Sequence, residues 1–250
     1  ANNGASHIAV GPMLGTVRDS EDDGQPTSLA DGDDLNGAPN DEDGVTFGTI
    51  QVGRLDASLA VNVSNAPGGA KLDAWIDFNA NGTWEASEQV AIDAPLVAGP
   101  NTLLIDVPIT AVPGATYTRL RLTSYDTGGA LGPAGPADDG EVEDYVVTID
   151  NEVYLQGTAS DDAVDVWPGT PSGSQHRVDI NGVSSFFDAA VYDAINVSGL
   201  GGMDTLSIYG KLTSENAAFN GTSVHMNESS VYDVFGTGFE NTYAYSGGGI

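Results

Sequence analysis

The chain has no cysteine. Disulfide staples, thiolate zinc sites and a cysteine nucleophile are all excluded, although export is not, because calcium can do the clamping where it is plentiful. Positive charge is nearly as scarce: seven Lys and Arg stand against 36 Asp and Glu, a formal net charge of −29 over 250 residues. Such a surface repels nucleic acid and anionic membranes, whose binding depends on Lys and Arg neutralising phosphate, and it attracts divalent cations. No apolar run reaches the length of a membrane span, so membrane insertion is not expected. The three histidines, His7, His176 and His225, lie far apart and outside any HExxH or HxH pattern. A G-x-S-x-G elbow, a phosphate loop and a dinucleotide fingerprint are missing too, so the sequence predicts no enzyme. Residues 1–6 have neither an initiator Met nor signal-peptide character, and the expectation is a processed protein or an excised segment.

What is present reads as β-structure. Hydrophobic residues make up 40% of the chain, mostly in alternating runs. Strands are predicted over 45–50, 56–64, 72–78, 102–109, 117–123 and 143–149, with Pro and Gly between them, as in an antiparallel β-sandwich. In Tyr117–Thr123 the Leu120/Leu122 face opposes an Arg119/Arg121 face, for which a cross-strand ion pair with Glu141, Glu143 or Asp144 is expected, worth well under about 1 kcal/mol if exposed, with anion binding by the two arginines as the rival. From Asn151 a second β region begins, a partial β-solenoid or a small sandwich. Asn181-Gly182 marks a hairpin turn within it.

The most informative stretch is Asp77-Phe-Asn79-Ala-Asn81-Gly82-Thr83-Trp-Glu85-Ala-Ser-Glu88, which fits the twelve-residue calcium loop at every specified position. Calcium is a hard cation that takes six to eight oxygens. The loop sets short oxygen side chains at positions 1, 3 and 5, a turn glycine at 6, a carbonyl (Thr83) at 7, Glu85 at 9 and a bidentate Glu88 at 12. The bland reading is an acidic β-turn, since Asx side chains and Gly favour turns by themselves. The flanks are strand-like, so this is no EF-hand.

Further candidate ligands lie in the acidic lead. Between Asp19 and Asp43 there are ten acids and no Lys or Arg, and each cluster ends in Gly. Asp31, Asp33, Asp41 and Asp43 are candidates there, against a solvated run as the bland reading. Asp139 and Glu141 are candidates near 140–144. Asp161 and Asp204 are candidates in Gly157-Thr-Ala-Ser-Asp161-Asp162 and Gly199-Leu-Gly201-Gly202-Met-Asp204, which weakly resemble glycine–aspartate (RTX) calcium repeats. Trp75, Trp84 and Trp167 are the possible sugar-stacking residues, Trp84 the foremost because it sits on the loop.

Lys71-Leu-Asp-Ala-Trp-Ile-Asp-Phe-Asn, Glu88-Gln-Val, Asn101-Thr-Leu, Val107-Pro, Tyr117-Thr-Arg119-Leu-Arg121 and Gly140-Glu-Val-Glu-Asp-Tyr145 together resemble a GEVED domain. The resemblance covers roughly residues 7–150. It implies a secreted β-sandwich module of large exported bacterial proteins, many from planctomycetes, without known catalysis and with calcium as the bound ion.

The expected organisation is a lead segment (1–44) packing on a sandwich (45–150), followed by a solenoid-like domain (151–250). The expected function is a non-enzymatic, calcium-binding, extracellular structural or adhesive module of a cell-surface or filament-forming protein. Self-association by strand pairing and a surface polysaccharide are its possible partners. The rival is a calcium-dependent carbohydrate-binding module attached to an exported polysaccharide-acting enzyme, and its mark would be exposed aromatics in a row beside the metal loop.

Overall fold

The structure, a computed structural model, describes residues 4–18, 23–25, 42–126, 129–170, 174–211, 215–228 and 231–246. Its described elements are strands and one short 3-10 turn, the all-β class that the alternation predicts. The chain forms two compact units, residues 1–50 with 56–149, and residues 51–55 with 150–250. The segment 51–55, which the sequence reading places in the sandwich, thus belongs with the second unit.

In the first unit the strands are β1 (Ala5–His7), β2 (Met13–Leu14), β3 (Val45–Phe47), β5 (Ala57–Ser64), β6 (Ala70–Ile76), β7 (Gln89–Leu96), β8 (Gly99–Ile105), β9 (Gly114–Ser124), β10 (Gly135–Ala137) and the first part of β11 (Glu141–Gln156), while β4 (Ile50–Val52) passes from the first unit into the second. One sheet centres on β5, which pairs β2, β3 and β8, all antiparallel. The other runs β7–β6–β9–β11. β5 shows why they stack: Ala57, Leu59, Val61 and Val63 point inward while Ser58, Ala60 and Asn62 point out. Leu59, Val61 and Val63 meet Leu72, Ala74, Leu120 and Leu122 of the facing sheet, with Leu14 closing the core. Phe47 and Tyr145 pack edge to face at 5.5 Å on its margin.

The opposite face of β9 carries the cross-strand ion pair that the sequence predicts, Arg119 with Asp144, in a buried setting. Arg119 and Arg121 are buried, not solvated. The segment 129–137 crosses over them, and its main-chain oxygens satisfy the guanidinium groups. Arg119 donates to Pro133 O, and Arg121 donates to Gly132 O, Ala134 O and Gly135 O. A covering segment that offers carbonyls rather than apolar side chains needs a charged floor, which explains arginine at both outward positions.

The second unit is a parallel stack. Its strands are the end of β11, then β12 (Ala163–Trp167), β13 (Gln175–Ile180), β14 (Val183–Asp188), β15 (Ala194–Ser198), β16 (Thr205–Tyr209), β17 (Asn216–Asn220), β18 (Ser223–Glu228), β19 (Tyr232–Thr237) and β20 (Asn241–Tyr245). β15 pairs in parallel with both β11 and β19, while β16 pairs in parallel with both β12 and β20. Those two ladders are three coils of a β-solenoid, the first of the two arrangements expected. Antiparallel hairpins, β13–β14 and β17–β18, interrupt it between coils. Asn181 (φ 52°) and Gly182 (φ 80°) turn the first hairpin, as their dipeptide predicts.

Candidate functional site

The loop 77–88 leaves β6 and is tied to the sheet at its start. Asp77 N–H donates to Tyr117 O at 2.9 Å, and Thr116 Oγ1 donates to Asp77 O at 2.5 Å. The buried Asp77 carboxylate then organises the turn, with Oδ1 accepting from Asn81 N–H (3.1 Å) and Oδ2 from Gly82 N–H (2.8 Å). Ala80 (φ 55°) and Gly82 (φ 80°) take the left-handed conformation that this reversal requires, which glycine adopts without strain. The oxygen side chains converge on Glu85. It accepts from Asn79 Nδ2 (3.1 Å), Asn81 Nδ2 (2.7 Å) and Thr83 Oγ1 (2.8 Å).

Glu88, 3% exposed, closes the loop from beneath. Its Oε1 accepts Asn79 N–H (3.1 Å) and its Oε2 accepts Glu85 N–H (3.0 Å), so it also serves as the capping residue of the turn 86–88. That gives Glu88 a reason to be in register that needs no metal, which the sequence alone does not supply. The two glutamates are also electrostatically linked. Burial, then the hydrogen bond with Glu85, raises Glu88, while that same bond, ahead of those from Asn81 and Thr83, holds Glu85 down to about 2. The pair is thus pulled apart, Glu85 toward the ionised form and Glu88 toward the protonated one.

Asp77, Asn79, Asn81, Thr83, Glu85 and Glu88 therefore come together in one loop, an all-oxygen set of the kind a hard cation takes. Among the described residues no group of three or more His, Asp or Glu side chains is arranged to hold a metal, so any ion here would depend on amide and carbonyl oxygens as well. The chemistry fits calcium. The Asn79 and Asn81 amides have only to turn their oxygens inward, and a dication would offset the repulsion between the two glutamates.

The other candidates do not join this loop. Asp31, Asp33 and Asp41 lie outside the described residues. Asp43 accepts from Thr16 N–H and Oγ1, Asp139 from Ser124 N–H and Oγ, and Glu141 from Leu14 N–H. Asp161 accepts from Met203 N–H at 2.8 Å. Asp204 Oδ1 accepts from Asp162 N–H at 2.8 Å, while its Oδ2 is buried without a hydrogen-bond partner. Asp162 and Glu240 extend this ladder of turn acids, since Glu240 accepts from Asp204 N–H. The sequence reading misses Glu240, whose turn lacks the Gly-Asp pattern.

A second constellation surrounds 140–145. Gly140 (φ 92°) passes so close to Leu122 O that a Cβ would collide with it, which makes glycine obligatory. Glu143 Oε1 accepts from Asp43 and Gly44 N–H, while Tyr145 Oη donates to Glu143 and accepts from Val45 N–H. Arg119 grips Asp144 through two bonds of 2.7 and 2.6 Å. Arg121 Nε donates to His7 Nε2 at 3.0 Å, and the His7 Nδ1 proton goes to Asp139 O at 2.8 Å. The acids of this motif thus bind the chain's own backbone and arginine.

Residues 71–148 match the family model of the GEVED domain. No curated protein and no solved structure matches the chain. Within the matched stretch, Glu141, Glu143, Asp144 and their partners explain why the motif at 140–144 is acidic yet buried: it anchors the sandwich.

Proposed function

We propose that the chain is a non-enzymatic, calcium-clamped β module of an exported surface or filament-forming protein, with the metal at 77–88. The observation that carries this reading is the convergence of Asp77, Asn79, Asn81, Thr83, Glu85 and Glu88 oxygens on one twelve-residue loop, where a divalent cation would offset the repulsion between the Glu85 and Glu88 carboxylates. The absence of cysteine and the net charge of −29 accord with a millimolar-calcium exterior.

The carbohydrate reading gains no support from the aromatics. Trp75 is buried, Trp84 lies over Arg119 at 4.5 Å, and Trp167 is covered by Arg177 and Tyr209. A hydrolase would need a carboxylic acid free to reach a substrate. Glu88, the raised member of a carboxylate pair, already has an N–H on each oxygen.

Isothermal titration with calcium tests the proposal, comparing the chain with Glu88→Gln. Binding near one ion at this loop, weakened at least tenfold by the substitution, is expected. Equal binding by both forms would sink it.

A further inference from the structure

Asn stands directly before Gly five times in the chain, at 3–4, 36–37, 81–82, 181–182 and 220–221. The first two asparagines lie outside the described residues. The other three are exposed, and each precedes a glycine with positive φ, 80° at Gly82, 80° at Gly182 and 61° at Gly221, with open space where a Cβ would stand. Dipeptide and accessibility thus make the three equal, and only their hydrogen bonds tell them apart. Asn81 Nδ2 donates to Glu85 at 2.7 Å, and its Oδ1 accepts from Thr83 N–H at 2.8 Å and Thr83 Oγ1 at 2.7 Å. Gly82 N–H is taken as well, by Asp77 Oδ2 at 2.8 Å. Asn181 is held likewise, its Nδ2 donating to Asp162 Oδ1 at 2.6 Å while its Oδ1 accepts from Ala163 N–H at 3.0 Å. The Asn220 amide makes no hydrogen bond among the described residues, and neither does Gly221 N–H.

We propose that Asn220-Gly221, at the tip of the β17–β18 hairpin, is a site of spontaneous deamidation in the folded protein. Gly221 N gives up its proton and bonds to Asn220 Cγ, the Cγ–Nδ2 bond breaks, and ammonia leaves a cyclic imide behind. One water then opens the ring. Cleavage of the new N–Cγ bond gives aspartate, whereas cleavage between Gly221 N and the Asn220 main-chain carbonyl carbon gives isoaspartate. No electron is transferred, and water is the sole reagent consumed. At Asn81 and Asn181 at least two hydrogen bonds must break before the attack, which slows it by roughly thirtyfold. The products act on the hairpin itself. Asn220 pairs with Ser223 beside the turn, and Thr222 O accepts Phe239 N–H at 3.0 Å. Aspartate adds one negative charge there to a chain that already carries −29, while isoaspartate lengthens the main chain and displaces that pairing. The reaction does not depend on the metal loop.

Site-resolved mass spectrometry tests this on the full chain, aged in mildly alkaline buffer with a chelator so that no bound ion adds to the hold on Asn81. Conversion at Asn220 roughly thirtyfold ahead of Asn81 and Asn181 is expected in the folded chain. In denaturant, where the hydrogen bonds of all three are gone, their rates should become similar. Conversion of Asn81 or Asn181 at the pace of Asn220 in the folded chain would overturn the proposal. So would an Asn220 that persists in the folded chain while it converts in denaturant.

Discussion

His7 and Glu88 respond to acid in opposite directions. Burial, then the charge of Arg121, lowers His7 from 6.5 to about 3, so folding favours the neutral ring. Its contribution to stability is complete above pH 6.5 and is lost as pH falls toward 3, with a slope approaching about 1.4 kcal/mol per pH unit inside that window. Buried His176, which accepts Gly169 N–H and meets Tyr192 O, is lowered for the same first cause and adds to the same loss. Denaturant melts from pH 7 to pH 4 should show this fall, and His7→Gln should flatten it. Glu88, raised in the fold, has the reverse sign: its contribution is present below its ordinary range and disappears as pH rises through its folded value. Below that value, calcium should therefore release a proton on binding. Titrations in buffers of different ionisation heat will read that proton, and a buffer-independent heat would deny it. Arg119 and Asp144 are each at most 2% exposed, so Arg119→Met leaves a buried charge unpaired. A loss of about 3–5 kcal/mol in chemical denaturation is expected.

At the scale of elements, the strands most visible in the sequence are those with one wet face. β5 alternates cleanly, and its bounds are nearly those that alternation predicts. β7 escapes prediction because Pro95 and Asp93 (φ 46°) lie within it, and only an edge strand with a register shift tolerates them. The calcium-like loop is legible in full, since its chemistry is local. The anchoring of the lead is not, because Glu143 reaches Asp43 and Gly44 N–H across about a hundred residues and no periodicity records that. Glu143→Ala should leave those N–H groups without a partner, at a cost of about 1–3 kcal/mol. It should also speed proteolysis before Val45 while leaving the sandwich strands protected in hydrogen exchange. β1 pairs in cis with β10, so residues 5–7 are part of their own sandwich.

For the molecule as a whole, 29 net negative charges oppose compaction, and only seven basic residues are present. Two of these, Arg119 and Arg121, are committed to the interior. The surface is thus left strongly acidic, a condition that cations relieve either by screening or by binding at a defined place. Screening is indifferent to which salt supplies it, whereas a site that exists only in the fold adds RT ln(1 + [L]/Kd), about 2.7 kcal/mol at a hundredfold excess. The direct measurement is a thermal melt of the chain and of Glu88→Gln in calcium chloride and in sodium chloride of equal ionic strength. A calcium-specific rise in Tm for the chain that largely vanishes in Glu88→Gln is the result predicted here. The same Tm in both salts, or an equal calcium shift in both proteins, would contradict a metal at 77–88.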